Sequence, residues 1–247
     1  MIDTLRLHMH KSIDTAKNYD LLADEYYDTD HLTTRNFDDS TARYLARVRL
    51  MTSKYLKGTV VDVGSGRGQL AHYFPGHTSA YRYEVDLSRK MLDLPRQSAI
   101  DGRIHASAFE VPLRDSIADL VTAFLFDPFN VAPIEKEMRR ITRPDGLFIG
   151  TLPSIEWALP VRTAAGLAID RTQFCLRDGT VVEAPSFVSS HSELRDRFAT
   201  VGFSDVAVFD IAPSMSGRPL SRHVLHAASV RGVEPDRLGL VTVVLCK

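Results

Sequence analysis

The stretch Val60-Val61-Asp62-Val63-Gly64-Ser65-Gly66-Arg67-Gly68-Gln69-Leu70 joins a short β-branched run to a turn with glycine at every second position. Such a run suits a buried strand. Glycine reaches positive φ and lets the backbone approach a ligand more closely than a side chain would allow. With a helix expected to begin near Gly68, the turn falls at the carboxyl end of a first strand. That is the crevice in which doubly wound α/β sheets bind nucleotides.

The rest of the chain keeps to this plan. Strands are expected near 59–63, 81–85, 103–107, 118–124 and 146–151, alternating with helical segments, the pattern of a parallel sheet. Ala42, Leu45, Val48 and Met51 recur in steps of three, so Asp39 to Lys57 reads as an amphipathic helix with Gly58 as a left-handed stop. Pro133 suits a first helical position, and Arg143-Pro144-Asp145-Gly146 ends that helix. Ser190 to Glu193 forms a capping box for a helix closed by Gly202, followed by a strand at Val206 to Phe209; Leu240 to Leu245 reads as the last strand. Residues 153–189, with a hairpin signal at Arg177 to Thr180, read as an insertion, and Leu220 to Val230 as a short helix. The expected fold is therefore a doubly wound, seven-stranded, mostly parallel α/β sheet in one domain over 1–247. It divides into a helical cap (1–57), a cofactor-binding core (58–152), the insertion, and a C-terminal helix with strands (190–247).

Composition narrows the function. The 30 Lys and Arg balance 31 Asp and Glu, leaving a net charge of −1 and no basic footprint for nucleic acid. No apolar run reaches the roughly 18 residues of a membrane span, and the N-terminus MIDTLRLHMHKS lacks a signal-peptide core. The expectation is a cytoplasmic protein acting on a small molecule. Cys175 and Cys246 have no CxxC spacing and read as small core residues; neither they nor the histidines suggest a metal site.

The glycine turn becomes specific through its partner. Asp86 ends the second strand 20 residues after Gly66, placed to offer a carboxylate to two ribose hydroxyls. Several segments together, VVDVGSGRG, Val85 to Leu92, Ala118-Asp119-Leu120-Val121 and Arg140 to Gly146, resemble the class I S-adenosylmethionine-dependent methyltransferases. The resemblance implies that Asp62 and the loop Gly64, Ser65, Gly66 and Gly68 face the methionine part of S-adenosylmethionine. It further implies Asp86 at the ribose, Leu87 on the adenine, and Phe124 in the cofactor wall. Where the family often has an aspartate at the end of the third strand, this chain has Ser107, with Ala108 and Phe109 beside it to read the ring edge through backbone amides. Phe109 reads equally as a core aromatic. Asn18 to Asp28 resembles the family's "Y-D-x-x-A-x-x-Y-D" cap, which implies that Tyr19 and Tyr27 close over the cofactor.

The expected reaction is methyl transfer to oxygen or nitrogen of a small acceptor. Because the sulfonium is already activated, alignment supplies most of the effect and no conspicuous triad is expected. Asp127, just beyond the fourth strand, is a candidate base or a turn cap, and His31 a candidate base from the lid. Glu156 and Trp157 read as acceptor-pocket or insertion residues; His8, His10, His223 and His226 read as scattered surface histidines. A nicotinamide-dependent oxidoreductase is the alternative, disfavoured by Gln69 where a dinucleotide loop wants glycine and by the lack of Tyr-x-x-x-Lys. A non-catalytic cofactor-binding protein on the same fold is the other.

Overall fold

A computed structural model describes residues 15–75, 81–95, 100–214 and 219–247. His8 and His10 lie outside them. Nine strands are present among the described residues: β1 (Thr59–Val63), β2 (Tyr81–Asp86), β3 (Gly102–His105), β4 (Ala118–Ala123), β5 (Thr142–Pro153), β6 (Arg171–Cys175), β7 (Val181–Pro185), β8 (Ala207–Ile211) and β9 (Val241–Cys246). Seven of them form one sheet in the order β3-β2-β1-β4-β5-β9-β8, and β6 with β7 form a separate hairpin. β1 to β5 run parallel, while β9 lies antiparallel between β5 and β8. Strand order reverses between β1 and β4, so the loops leaving those two strands diverge and open a crevice.

Side chains alternate across a strand, and here both faces are covered. Val61 and Val63 pack on one side with Phe148, Ile134, Met138, Ile141 and Phe198, that is, against the helices Ile134–Ile141 and His191–Thr200. Val60 packs on the other side with Leu45, Leu56, Leu120 and Ile149, against the helix Leu32–Leu56. A third cluster joins Phe37 and Trp157 to Val224 and Ala227 of the helix Arg222–Arg231, with the two rings edge to face at 4.8 Å.

Three local expectations change. The long helix starts at Leu32, seven residues before Asp39, and Gly58 does not end it by positive φ. Glycine is required there for space: a Cβ would sit 2.1 Å from Oδ2 of Asp119, the oxygen that accepts from the Thr59 amide at 2.8 Å. Helix Ile134–Ile141 runs directly into β5, and Pro144-Asp145-Gly146 lies within that strand. The register there jumps from Ala118 opposite Thr142 to Leu120 opposite Leu147, so the extra residues bulge out of the ladder. Cys175 is exposed on the hairpin, whereas Cys246 is buried as expected.

Candidate active site

A cavity of about 340 Å³ opens at the carboxyl ends of β1, β2 and β4. Gly64, Ser65 and Gly66 form one wall, and Gly64, Gly66 and Gly68 all take positive φ (67°, 49° and 86°). A Cβ on Gly64 would lie 2.6 Å from the Phe129 ring, so this glycine lets the loop and an aromatic side chain close on each other. The Ser65 hydroxyl is buried and has no hydrogen-bond partner among the described residues. A buried hydroxyl on a cavity wall suits a hydrogen bond to a ligand group.

Asp86 stands across the loop. Its Oδ2 accepts from the Gly66 amide at 2.8 Å and its Oδ1 from the Ser88 amide at 2.8 Å. A carboxylate offers about four acceptor sites, a donor-poor group suited to ligand hydroxyls. Leu87 and Met91 continue this wall, followed by Ser107, Ala108 and Phe109; the Ser107 hydroxyl accepts from the Phe109 amide at 3.2 Å. Phe109 also packs against the core, so both of its expected surroundings are present. Phe124 lines the cavity and meets Tyr73 edge to face at 4.8 Å.

Asp62 sits behind the loop and does not line the cavity. It is 1% exposed, and its Oδ1 accepts from the Thr122 hydroxyl at 2.6 Å. Burial pushes its carboxyl up to about 7, with the Thr122 hydrogen bond opposing. Gly68 likewise stands off the lining; it caps the short helix Gln69–Tyr73 from a left-handed conformation.

The roof comes from two distant parts of the chain. Residues 15–22 are helical and bring Tyr19 over the cavity, with Tyr26 and Tyr27 following. Asp20 accepts from the Ser88 hydroxyl at 2.5 Å and the Lys90 amide at 3.2 Å, and Asp24 pairs with Lys90 at 2.6 Å. Tyr27, at φ 60°, places its hydroxyl 2.5 Å from that of Tyr73. Burial raises the phenol pKa values of Tyr19, Tyr26 and Tyr27, which keeps all three neutral. The hairpin of β6 and β7 meets this segment from the other side. Phe174 packs on Tyr26 at 5.7 Å, the Arg177 amide donates to Glu25 at 2.8 Å, and the Arg177 guanidinium pairs with Asp28 and, at 3.5 Å, Asp30.

Neither expected base lines the cavity, although the charge of Asp127 is felt by Tyr19 and Tyr26 in the roof. Asp127 opens the turn Asp127–Phe129 but does not line the cavity; its carboxylate accepts from the Ser186 hydroxyl, which Arg162 Nη2 also reaches at 2.5 Å. Burial pushes the Asp127 carboxyl up to about 7, opposed by Ser186 and Arg162. The Asp127 carbonyl accepts from the Phe187 amide at 2.8 Å, so the residue ties the loop after β4 to the end of the insertion. His31 is exposed as the N-cap of the long helix and is not in the lining. Glu156 accepts from the Gly239 amide at 3.1 Å and Trp157 belongs to the third cluster, so neither reaches the cavity. The lining also includes Tyr26, Phe129, Phe187, Asp170 and Arg171, which the sequence did not single out as site residues. Tyr26 lay within the quoted cap motif and Phe129 beside Asp127, but the insertion carries no periodic signal that points Phe187 or Arg171 inward.

Residues 61–150 match the family profile described as "Methyltransferase domain". Among solved structures, the DhpI complex titled "DhpI-SAM-HEP" is 17% identical, with a TM-score of 0.66 over 96% of this chain and 98% of that one. The chain has the class I S-adenosylmethionine-dependent methyltransferase fold. A Thermotoga maritima protein titled an S-adenosylmethionine-dependent methyltransferase, "possible histamine N-methyltransferase", is similar over 94% of this chain and 99% of its own, at 18% identity and a TM-score of 0.62. A methyltransferase from Mesorhizobium loti is 18% identical over 85% of this chain and 99% of that chain, with a TM-score of 0.57. Comparison with curated proteins gave no match. Among the described residues of this methyltransferase fold, no helix is long and apolar enough to cross a membrane, and no group of three metal-ligating side chains occurs.

Proposed function

We propose that this methyltransferase moves the methyl group of S-adenosylmethionine to oxygen or nitrogen of a small molecule enclosed beneath the cap. The carrying observation is the wall shared by the glycine loop and Asp86, in which the buried Ser65 hydroxyl has no partner among the described residues and the Asp86 carboxylate is held by the Gly66 and Ser88 amides. These residues fit the cofactor. Asp86 would take the ribose hydroxyls, Leu87, Met91 and Phe109 the faces of the adenine, and the Ser107 hydroxyl with nearby backbone amides its edge. Ser65 and the Gly64–Gly66 loop would take the polar end of the methionine part. When bound, the cofactor supplies an electrophilic methyl group on a sulfonium whose leaving group is a neutral thioether.

The chain's own part is to hold and to exclude water. Tyr19, Tyr26 and Tyr27 cover the cavity as neutral phenols, and Phe129 and Phe187 narrow its far end. Well-oriented reactants gain roughly 7–11 kcal/mol from proximity, against about 10²- to 10⁴-fold from a base. A site of this kind works chiefly by alignment. Calorimetry with S-adenosylmethionine and with NAD tests the reading: saturable binding of the first and none of the second is expected, and binding of NAD alone overturns it. A mass-spectrometric screen of metabolite extracts for cofactor-dependent gains of one methyl group identifies the acceptor.

A further inference from the structure

The cavity has two chemically different ends. Asp86, Leu87 and Ser107 belong to the β2 and β3 side. The opposite end is built by the loop after β4 and by the insertion: Phe129 lies over Gly64, the Phe187 amide is tied to the Asp127 carbonyl, and Pro185 pairs in register with Arg171. This series of contacts puts Arg171 on the side away from the adenosine wall. Among the described residues Arg171 is the only cationic one in the cavity lining. Among the described residues no hydrogen bond or ion pair engages its guanidinium, although most other arginines here are tied to a carboxylate or carbonyl. The neighbouring Asp170 has its charge opposed by the buried Arg162.

Proton acceptors are scarce at the same end. Among the described residues no His, Lys, Glu or Cys lines the cavity; its carboxylates there are Asp86, already clamped by two amides, and Asp170. A hydroxyl or ammonium acceptor has to lose a proton to something. An oxyanion does not.

We infer that the acceptor enters as an oxyanion on an apolar body, a carboxylate being the simplest case, with Arg171 pairing the anionic group and Phe129 and Phe187 enclosing the body. The inference rests on the methyl-transfer reading above. The acceptor oxygen forms the new C–O bond with its own lone pair as the S–C bond of the sulfonium breaks. The electron pair of that bond stays on sulfur as a thioether, the positive and negative charges cancel, and no proton has to leave. Arg171 is then a specificity-determining residue, since a guanidinium recognises a carboxylate through paired, charge-assisted hydrogen bonds.

The test is calorimetry on the full chain saturated with S-adenosylhomocysteine, using benzoate, benzamide and benzylamine as probes of similar shape and different charge. Benzoate is expected to bind more tightly than the other two. Arg171→Gln should weaken benzoate roughly 10- to 100-fold, the loss expected for hydrogen bonds to a charged group, with S-adenosylhomocysteine affinity and unfolding temperature unchanged; Arg171→Lys should restore part of the loss. Benzoate binding no better than benzamide or benzylamine, or equally well to Arg171→Gln, overturns the inference alone. Failure of S-adenosylhomocysteine to saturate the protein overturns the cofactor reading and the inference with it.

Discussion

Ser65 and Asp86 illustrate how a binding residue differs from a stabilising one. The Ser65 hydroxyl is buried with no partner among the described residues, so little in the fold repays its desolvation and a ligand group can. Ser65→Ala should therefore leave stability equal or slightly higher while weakening S-adenosylmethionine, as read by urea denaturation and calorimetry on the same variant. Asp86 differs because it also holds the Gly66 and Ser88 amides. Asp86→Asn keeps an acceptor oxygen but loses the charge, and about a tenfold or greater loss of cofactor affinity is expected; unchanged affinity would count against its ribose role. Asp127 is the converse case. With its carboxylate committed to Ser186 next to Arg162, Asp127→Ala should cost about 1–3 kcal/mol of stability and leave cofactor affinity within a few-fold.

Among the elements, the cap and the hairpin of β6 and β7 meet at the roof of the cavity through Tyr26 on Phe174 and through Arg177 on Glu25 and Asp28. Arg177 is exposed, so solvent screening leaves its pairs with Asp28 and Asp30 little weight in global stability. Their effect falls on lid opening: Arg177→Ala should leave the unfolding midpoint nearly unchanged while speeding cofactor release in stopped-flow measurements. The parallel core was legible because its strands and glycine turn follow local rules, and the positions of Asp86, Leu87 and Ser107 followed from strand ends. Ser190 could be read as a cap from its spacing to Glu193, and its hydroxyl does accept from the Glu193 amide. What escaped was what depends on contacts across long separations. Nothing local to Asp127 reveals that Ser186, 59 residues on, takes its carboxylate, and nothing in Arg171 or Phe187 reveals that the chain after the hairpin folds back onto the turn Asp127–Phe129. The Pro144-Asp145-Gly146 turn was recognised as a turn but not as a bulge inside a strand, because only the register against β4 decides that.

For the whole molecule, buried acids set the response to pH. Asp62 and Asp127 are each pushed up to about 7 by burial, against a usual value near 4. Between about pH 4 and 7 the folded chain binds protons at these sites that the unfolded chain has released, so stability falls as pH rises through that window and levels off above it. His72, raised by its hydrogen bond to Asp38, acts with the same sign, its contribution being lost as pH rises through its folded value. Denaturation midpoints should thus be higher at pH 5.5 than at pH 8, and Asp62→Asn should flatten the difference. The roof has a further consequence, for the order in which the protein is made. Residues Glu25 and Asp28 leave the ribosome early, but Arg177, which ties them down, follows 152 and 149 positions later. The sheet strands β1 to β5 are all synthesised before Arg177, and the pocket they frame cannot be sealed until Arg177 has been added; a nascent chain stalled earlier would display its glycine loop open to solvent.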